Sequence, residues 1–288
     1  MYPAPFDYHR ATSVDDALTL LAEHAGTAKL LAGGHSLLPV MKLRLAQPEL
    51  LIDINDIGEL RAITVDADQL TIGALVTHHE LATNPEISRL APLLAEMASL
   101  VGDQQVRNLG TIGGALAHAD PAADYPAGML ALDATIVATS ANGERTIPVD
   151  DFFRGFLTTA LSPEELLTAI RIPIASKPPG VAYEKLANPA SGYATVGIAV
   201  ALSTDGAGNI GTIRIGVTGT GPSAYRPASV EAAIAGTIAD EATLKAAVTS
   251  ATEGVDVLED KHGTAAYRTR VTQNLIRRAV TRAVANVR

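Results

Sequence analysis

Cysteine is absent from the 288 residues of this chain. Its absence excludes disulfides, zinc-thiolate sites, a flavin tethered through cysteine and cysteine-ligated iron-sulfur clusters within the chain. If electrons travel by such clusters, another chain carries them. Long apolar runs are also missing. No stretch of about 18 apolar residues could span a bilayer, and the opening MYPAPFDYHRAT lacks the apolar core of a signal peptide. A cytoplasmic location is therefore expected. Positive charge is in deficit, with 22 Lys and Arg against 31 Asp and Glu and a formal net charge of −9. The average field repels phosphates and acidic membranes, which argues against nucleic acid as a partner. Any phosphate site must be local.

What remains is a globular composition, 47% hydrophobic and 18% charged, with a length that suggests about two domains. Ser13 and Asp16 have capping-box spacing, and Val14, Ala17, Leu18, Leu21 and Ala22 follow at helical intervals, so a first helix is predicted there. Lys29 to Ala32 reads as a short buried strand stopped by Gly33 and Gly34, followed by a helical turn or two through Leu37, Leu38, Met41 and Leu45. Leu50 to Ile54 is a second strand, and Ile63, Val65, Leu70 and Ile72 alternate as a hairpin around Asp66-Ala67-Asp68. Helices are predicted from His79 through Leu81, broken at Asn84-Pro85, and from Pro92 to Val101, ahead of a second glycine turn at Gly110 to Gly114. Ala134 to Thr139 pairs with Glu144 to Val149 across Asn142-Gly143. A first domain closes near Ile174, and Ser176-Lys177-Pro178-Pro179-Gly180 has linker composition. Tyr193 to Leu202, a hairpin at Asp205-Gly206, the strand of Ile213, Ile215 and Val217, and then helices make a second domain. In the last helix Tyr267, Val271, Leu275, Ala279 and Ala283 form one stripe, with Arg268, Arg277, Arg278 and Arg282 expected largely elsewhere.

Several motifs invite chemistry. Gly206-Ala207-Gly208-Asn209-Ile210-Gly211 has the dinucleotide-fingerprint spacing, but a strand rather than a helix follows it, so it reads as a hairpin loop. Gly33-Gly34-His35-Ser36 lacks the glycine after the serine that a nucleophile elbow needs. His118, Asp120 and Asp124 suit a capped turn better than a metal site, and His78-His79-Glu80 lacks zinc-binding helical spacing; no metal site is expected. The glycine turns at 33–34 and 113–114 each sit after an apolar segment and before a predicted helix. There, free backbone N–H groups can hold an anion and glycine admits a pyrophosphate closely. Ser36 and Thr111 add hydroxyls. Lys29, Lys42, Arg44 and Arg107 add positive charge that, at a screening length of roughly 8 Å, outweighs the distant net charge.

LLAGGHSLLPVMKLRL at 30–45, VRNLGTIGGALAHADPAADYPA at 106–127 and the stretch from Tyr183 to Tyr193 resemble one family along nearly the whole chain. It is that of the FAD-binding medium subunits of aerobic carbon monoxide dehydrogenase and related molybdenum hydroxylases, which includes the flavin domain of xanthine dehydrogenase. The resemblance implies an α+β fold. An FAD-binding domain at 1–175 would comprise subdomains of about 1–57 and 58–175, of vanillyl-alcohol oxidase or p-cresol methylhydroxylase type. A C-terminal α+β domain at 178–288 would carry a small antiparallel sheet.

It implies FAD bound without a covalent bond. The first loop, wrapping the pyrophosphate, maps onto Lys29, Leu30, Leu31, Ala32, Gly33, Gly34, His35, Ser36 and Leu37. The second maps onto Thr111, Ile112, Gly113, Gly114 and Ala115, with Ala117, His118 and Asp124 following toward the ribityl and phosphate region. Val101, Gly102, Val106, Gly110 and Leu167 match pocket-lining positions. Lys185 matches a flavin-side lysine, expected to stabilise negative charge on the flavin, and Tyr193 a residue beside the isoalloxazine ring. On the residues alone, Tyr193 reads equally as the start of a core strand. Ala115 departs from the asparagine of many relatives, which removes a side-chain amide but keeps the backbone N–H.

The implied complex has a large molybdenum-cofactor subunit and a small subunit with two-iron two-sulfur clusters, as a dimer of heterotrimers. It is expected in the cytoplasm, associated through the complex with the inner face of the membrane. Its substrate, carbon monoxide or a heterocycle, purine or aldehyde, belongs to the molybdenum subunit. A stand-alone FAD oxidase and a non-catalytic protein with purely structural glycine turns are the alternatives.

Overall fold

The computed structural model describes residues 1–174 and 179–287. Its first part comprises β1 (Asp7–Arg10), α1 (Val14–Glu23), β2 (Ala28–Leu31), α2 (Leu37–Lys42) and β3 (Leu50–Asp53). The strands form a parallel sheet in the order β1-β3-β2. Parallel strands need crossovers: α1 carries the chain from β1 to β2, burying Ala17, Leu18 and Leu21, and α2 carries it from β2 to its neighbour β3. Ser13 caps that helix by accepting from the Asp16 N–H. The reciprocal bond of the expected capping box is displaced by one residue, because the Asp16 carboxylate accepts from the Thr12 N–H at 3.1 Å.

The second part begins with β4 (Ile63–Val65) and β5 (Gln69–Gly73), the predicted hairpin, and continues through α3 (His78–Thr83), α4 (Pro85–Leu90), α5 (Pro92–Ser99), α6 (Gln104–Leu109), α7 (Ile112–His118) and α8 (Tyr125–Ala131). It ends with β6 (Thr135–Ser140), β7 (Gly143–Pro148), a ribbon of β8 (Phe153–Gly155) and β9 (Thr158–Thr159), and β10 (Leu166–Pro173). Its main sheet runs β4-β5-β10-β6-β7, entirely antiparallel. Asn84-Pro85 starts a helix instead of only breaking one: Asn84 accepts from the Glu86 and Ile87 N–H groups, and Pro85 occupies the first turn, where its missing donor costs nothing.

Of the predicted linker, Ser176, Lys177 and Pro178 lie outside the described residues. The third part has β11 (Gly180–Ala187), β12 (Ala194–Thr204) and β13 (Ile210–Thr218) as an antiparallel sheet, followed by α9 (Ala228–Ile234), α10 (Glu241–Ala247) and α11 (Ala265–Ala285). The fingerprint-like glycines fall in the β12–β13 hairpin, where Asp205 accepts from the Ala207 and Asn209 N–H groups at 2.9 Å. The stripe on α11 is rotated at its start. Tyr267 is 47% exposed while Arg268 and Thr272 are buried. The cause is polar: Arg268 donates to the Thr195 and Gly219 carbonyls at 2.6 and 2.7 Å and pairs with Asp260. Satisfying the guanidinium outweighs burying the tyrosine.

Each sheet has its own apolar cluster, and a fourth joins the second and third parts through Leu93, Met97, Ala127, Ala131, Val181, Tyr183 and Ala199. Backbone approaches very closely at this seam. A Cβ at Gly216 of β13 would lie 1.9 Å from the Ala127 carbonyl oxygen of α8. The C-terminal sheet is thereby fixed beside the segment that precedes α8.

Candidate functional site

A cavity of about 770 Å³ lies where the three parts meet. That volume is in the range of cofactor pockets. Lys29, Leu30, Ala32, Gly33, Gly34, His35, Ser36 and Leu37 line it from the first loop. Val101, Gly102, Val106, Gly110, Thr111, Gly113, Gly114, Ala115, Ala117, His118 and Asp124 line it from the middle of the chain, and Leu167 and Tyr193 complete the set. Leu31, Ile112 and Lys185 are not on its wall. Leu31 packs with Leu38 beneath Gly34, and Ile112 is fully buried in the core.

The first loop offers donors. Among the described residues, the backbone N–H groups of Gly33, Gly34, His35, Ser36 and Leu37 have no acceptor. Its carbonyls are held away: Asn55 Nδ2 donates to the Ala32 carbonyl at 3.0 Å, and the His35 ring pairs with the Gly33 carbonyl at 2.7 Å. Ser36 begins α2 without spending its hydroxyl on a cap. Gly33 is pinned from outside, since a Cβ there would lie 2.1 Å from the Leu109 carbonyl oxygen. The glycine allows the first loop to rest against the second.

The second loop differs from expectation. Gly113 and Gly114 form no turn, because they occupy the first turn of α7 after the N-cap Thr111. Their N–H groups are already used. Ile112 donates to the Val76 carbonyl at 3.0 Å, Gly113 to that of Ala74 at 2.9 Å, and Gly114 to the Thr111 hydroxyl oxygen at 3.2 Å. The Ala115 N–H bonds the Thr111 carbonyl. The helix docks end-on against the segment after β5, so the donors of Ile112, Gly113 and Gly114 are satisfied by protein. The Thr111 N–H alone of this end has no acceptor among the described residues, and the first loop is the larger open cradle. A Cβ at Gly113 would lie 2.5 Å from that of Ala74, which is the packing reason for glycine there.

The expected charges are also redistributed. Lys29 lines the cavity, whereas Lys42 and Arg44 do not, and Arg107 donates to the Val101 and Gly102 carbonyls at 3.0 Å, tying down that turn. Lys185 stands one residue behind the cavity wall, in contact with Asp124. Its amine lies 2.8 Å from Asp124, with both side chains 5% exposed, and also donates to the Leu100 carbonyl at 3.0 Å. Tyr183 donates to Asp124 at 2.5 Å. Burial pushes the Asp124 carboxyl up, against the opposing pull of Lys185 and Tyr183. This is a buried ion pair joining β11 to the start of α8, and it sets the lysine amine directly behind a carboxylate of the cavity wall.

Tyr193 stands at the mouth, 40% exposed, and burial of its ring with the nearby Asp120 charge raises its hydroxyl pKa. The Asp120–Asp124 segment is bolted to the C-terminal sheet. The Thr218 hydroxyl shares its one proton between the Pro121 and Ala123 carbonyls, at 2.8 and 2.7 Å, and the Ala194 N–H donates to the Ala122 carbonyl at 3.0 Å. Asp120 accepts from the Ala122 N–H, the turn role predicted for it. Among the described residues, no group of three or more His, Asp or Glu converges as metal ligands.

Sequence reasoning missed His78 and Tyr125, which also line the cavity. His78 is 4% exposed, and its Nδ1 lies 3.0 Å from the Tyr125 hydroxyl. Burial, reinforced by the charges of His35 and Arg107, lowers the His78 pKa to about 4. Thr77 and Glu80 form a full capping box, and that T-x-x-E spacing was the available signal that α3 starts with His78 on its inner side.

A donor loop facing a cavity of this size defines a protein that grips a phosphate-bearing ligand. Residues 4–175 match the family described as the FAD binding domain in molybdopterin dehydrogenase, and residues 181–283 match the CO dehydrogenase flavoprotein C-terminal domain. The chain belongs to this family of molybdopterin-dehydrogenase flavoproteins. It is 42% identical over 280 residues to the carbon monoxide dehydrogenase medium chain of Hydrogenophaga pseudoflava, covering 97% of each chain. It is 36% identical over 288 residues to the 6-hydroxypseudooxynicotine dehydrogenase complex subunit alpha of Paenarthrobacter nicotinovorans, covering 100% of this chain and 97% of that one. Among solved structures, it matches a chain of carbon monoxide dehydrogenase from Hydrogenophaga pseudoflava lacking the Mo-pyranopterin moiety, with a TM-score of 0.97, 43% identity and full coverage of both. Its relatives are oxidoreductase subunits, and so is this chain. No helix among the described residues is long and apolar enough to cross a membrane.

Proposed function

We propose that this chain is the flavin subunit of a molybdenum-containing hydroxylase, most like aerobic carbon monoxide dehydrogenase. It holds FAD without a covalent bond at the end of an electron path. That path starts at the molybdenum cofactor of a large partner subunit and runs through the iron-sulfur clusters of a small one. When bound, FAD supplies the capacity to take electrons singly and release them in pairs.

The observation that carries this reading is the open row of N–H donors from Gly33 to Leu37, backed by Lys29 and resting against the wall at Leu109. Oriented backbone donors suit a pyrophosphate, and they bind it despite the acidic chain because they act at contact range. Thr111 and the glycines of α7 form the facing wall and admit the ligand by their lack of bulk. Tyr193 limits access at the mouth. Asp124, held by Lys185 and Tyr183, fixes the loop on which the ribityl side would rest. The reading includes domains at 1–175 and 178–288, and subdomains near 1–57 and 58–175 of the vanillyl-alcohol oxidase type. It also includes a dimer of heterotrimers in the cytoplasm at the inner face of the membrane.

Co-expression with both partner subunits tests it. One FAD per chain, released on denaturation, with molybdenum and iron on the partners, is the expected result. A panel of carbon monoxide, heterocycles, purines and aldehydes then identifies the substrate. A complex that neither contains FAD nor takes it up overturns the proposal. Turnover of a small alcohol or amine by the chain alone would establish the oxidase alternative instead.

A further inference from the structure

His78 is the first residue of α3, and its ring sits beneath the contact between the two loops. Its backbone N–H donates to the Gly110 carbonyl at 3.0 Å, and its side chain faces the cavity wall beside Gly110 and Thr111. Nδ1 meets the Tyr125 hydroxyl. Among the described residues, Nε2 has no hydrogen-bond partner, although the residue is only 4% exposed.

The position of the ring proton follows from the tyrosine. Tyr125 is 1% exposed, and its hydroxyl has no other side-chain or backbone partner. If Nδ1 carried the proton, the Tyr125 O–H would be a buried donor without an acceptor, which is costly. The tyrosine therefore donates to Nδ1, and the neutral ring carries its proton on Nε2. Gly110 leaves that nitrogen uncovered, since a Cβ there would lie 2.6 Å from Nε2. The charged or titratable groups that bear on the ring are His35 from the first loop, Arg107 from α6 and Tyr125 from α8. The positive charge of Arg107 favours the neutral ring.

We infer that His78 is a further cofactor-binding residue: with its proton fixed on Nε2 by Tyr125, it donates a hydrogen bond to an acceptor atom of the bound dinucleotide beside Gly110. The inference rests on the FAD reading above. It explains why a buried imidazole is oriented by a buried phenol and then left without a partner on its other side. An uncharged donor recognises a carbonyl, ring nitrogen or phosphoryl oxygen without adding charge to the site.

The test is FAD titration of the assembled complex, followed by flavin fluorescence, for the native chain, His78→Phe, His78→Gln and Tyr125→Phe. His78→Phe keeps a ring but loses the donor, and it is expected to weaken FAD binding about tenfold. The His78→Gln amide can donate at the same reach while its carbonyl accepts from Tyr125, so its affinity is expected within about threefold of native. Tyr125→Phe frees the tautomer, and its loss is expected to fall between the two. Urea unfolding of each FAD-free complex separates a binding defect from a packing defect. Equal affinity across all variants overturns the inference and leaves the FAD reading intact, as does an equal tenfold loss in His78→Phe and His78→Gln, which signals packing alone. A native complex that binds no FAD overturns the underlying reading. If His78→Phe does not assemble, the His78→Gln and Tyr125→Phe comparison decides the same point.

Discussion

Acidification reports on His78 in the absence of any ligand. Its folded pKa of about 4 lies below the ordinary 6.5, so the unfolded chain binds the proton more readily. The associated stability is fully present above pH 6.5 and is lost as the pH falls toward about 4. Each tenfold change in protonation equilibrium is worth about 1.4 kcal/mol, so linkage between these two values gives a loss of about 2.5 kcal/mol at pH 4.5 relative to pH 7. The perturbation that isolates this term is His78→Gln, which removes the titration while keeping an acceptor for Tyr125. Asp124 and Glu96, whose carboxyls are both raised by burial, titrate with the opposite sign, but they do so in both proteins and cancel in the difference. Urea unfolding at pH 7 and pH 4.5 is the assay. With a slope of about 2.5 kcal/mol per molar urea, the native midpoint should fall by roughly 1 M more than that of His78→Gln. Midpoints that move in parallel, within about 0.2 M, would refute the claim that His78 is held neutral by burial.

Lys185→Met leaves Asp124 buried without its cation and should destabilise the chain by about 3–5 kcal/mol, with much of the loss recovered when Asp124→Asn is added. Thermal unfolding of both variants measures this; unchanged stability together with a shifted flavin reduction potential would favour a direct flavin role. Gly33→Ala drives a Cβ into the Leu109 carbonyl and is expected to weaken FAD binding at least about tenfold, whereas Gly58→Ala, which meets nothing within 4 Å, should leave it unchanged. Equal titration curves for the two would dismiss the loop-contact argument. Tyr193→Ala in the assembled complex should change the flavin absorption spectrum and the rate of reaction with the electron acceptor. Native values for both would remove Tyr193 from the ring contact.

Much of the local structure was legible because short-range chemistry dictates it. The Ser13 cap, the hairpins at 63–73 and 135–148 and the strand character after Gly206 depend on neighbours in the chain, and all appear in the fold. The rotated stripe of α11 was not legible, since it depends on where the Arg268 guanidinium finds carbonyls 73 and 49 residues away. α6 was also missed, being only six residues long with no buried face of its own.

The sequence by itself determined that these 288 residues hold no metal-thiolate centre, and that glycine pairs stand at 33–34 and 113–114. It also determined, through likeness along its length, which family the chain belongs to. Whether those glycines bind or pack was decided by tertiary structure. The first loop keeps its N–H groups free because Asn55 and His35 take its carbonyls, while the second gives its donors to Ala74, Val76 and Thr111. Only the fold pairs Lys185 with Asp124 and aims His78 toward Gly110. A backbone donor's availability depends on which distant acceptor reaches it, and spacing along a chain carries no record of that.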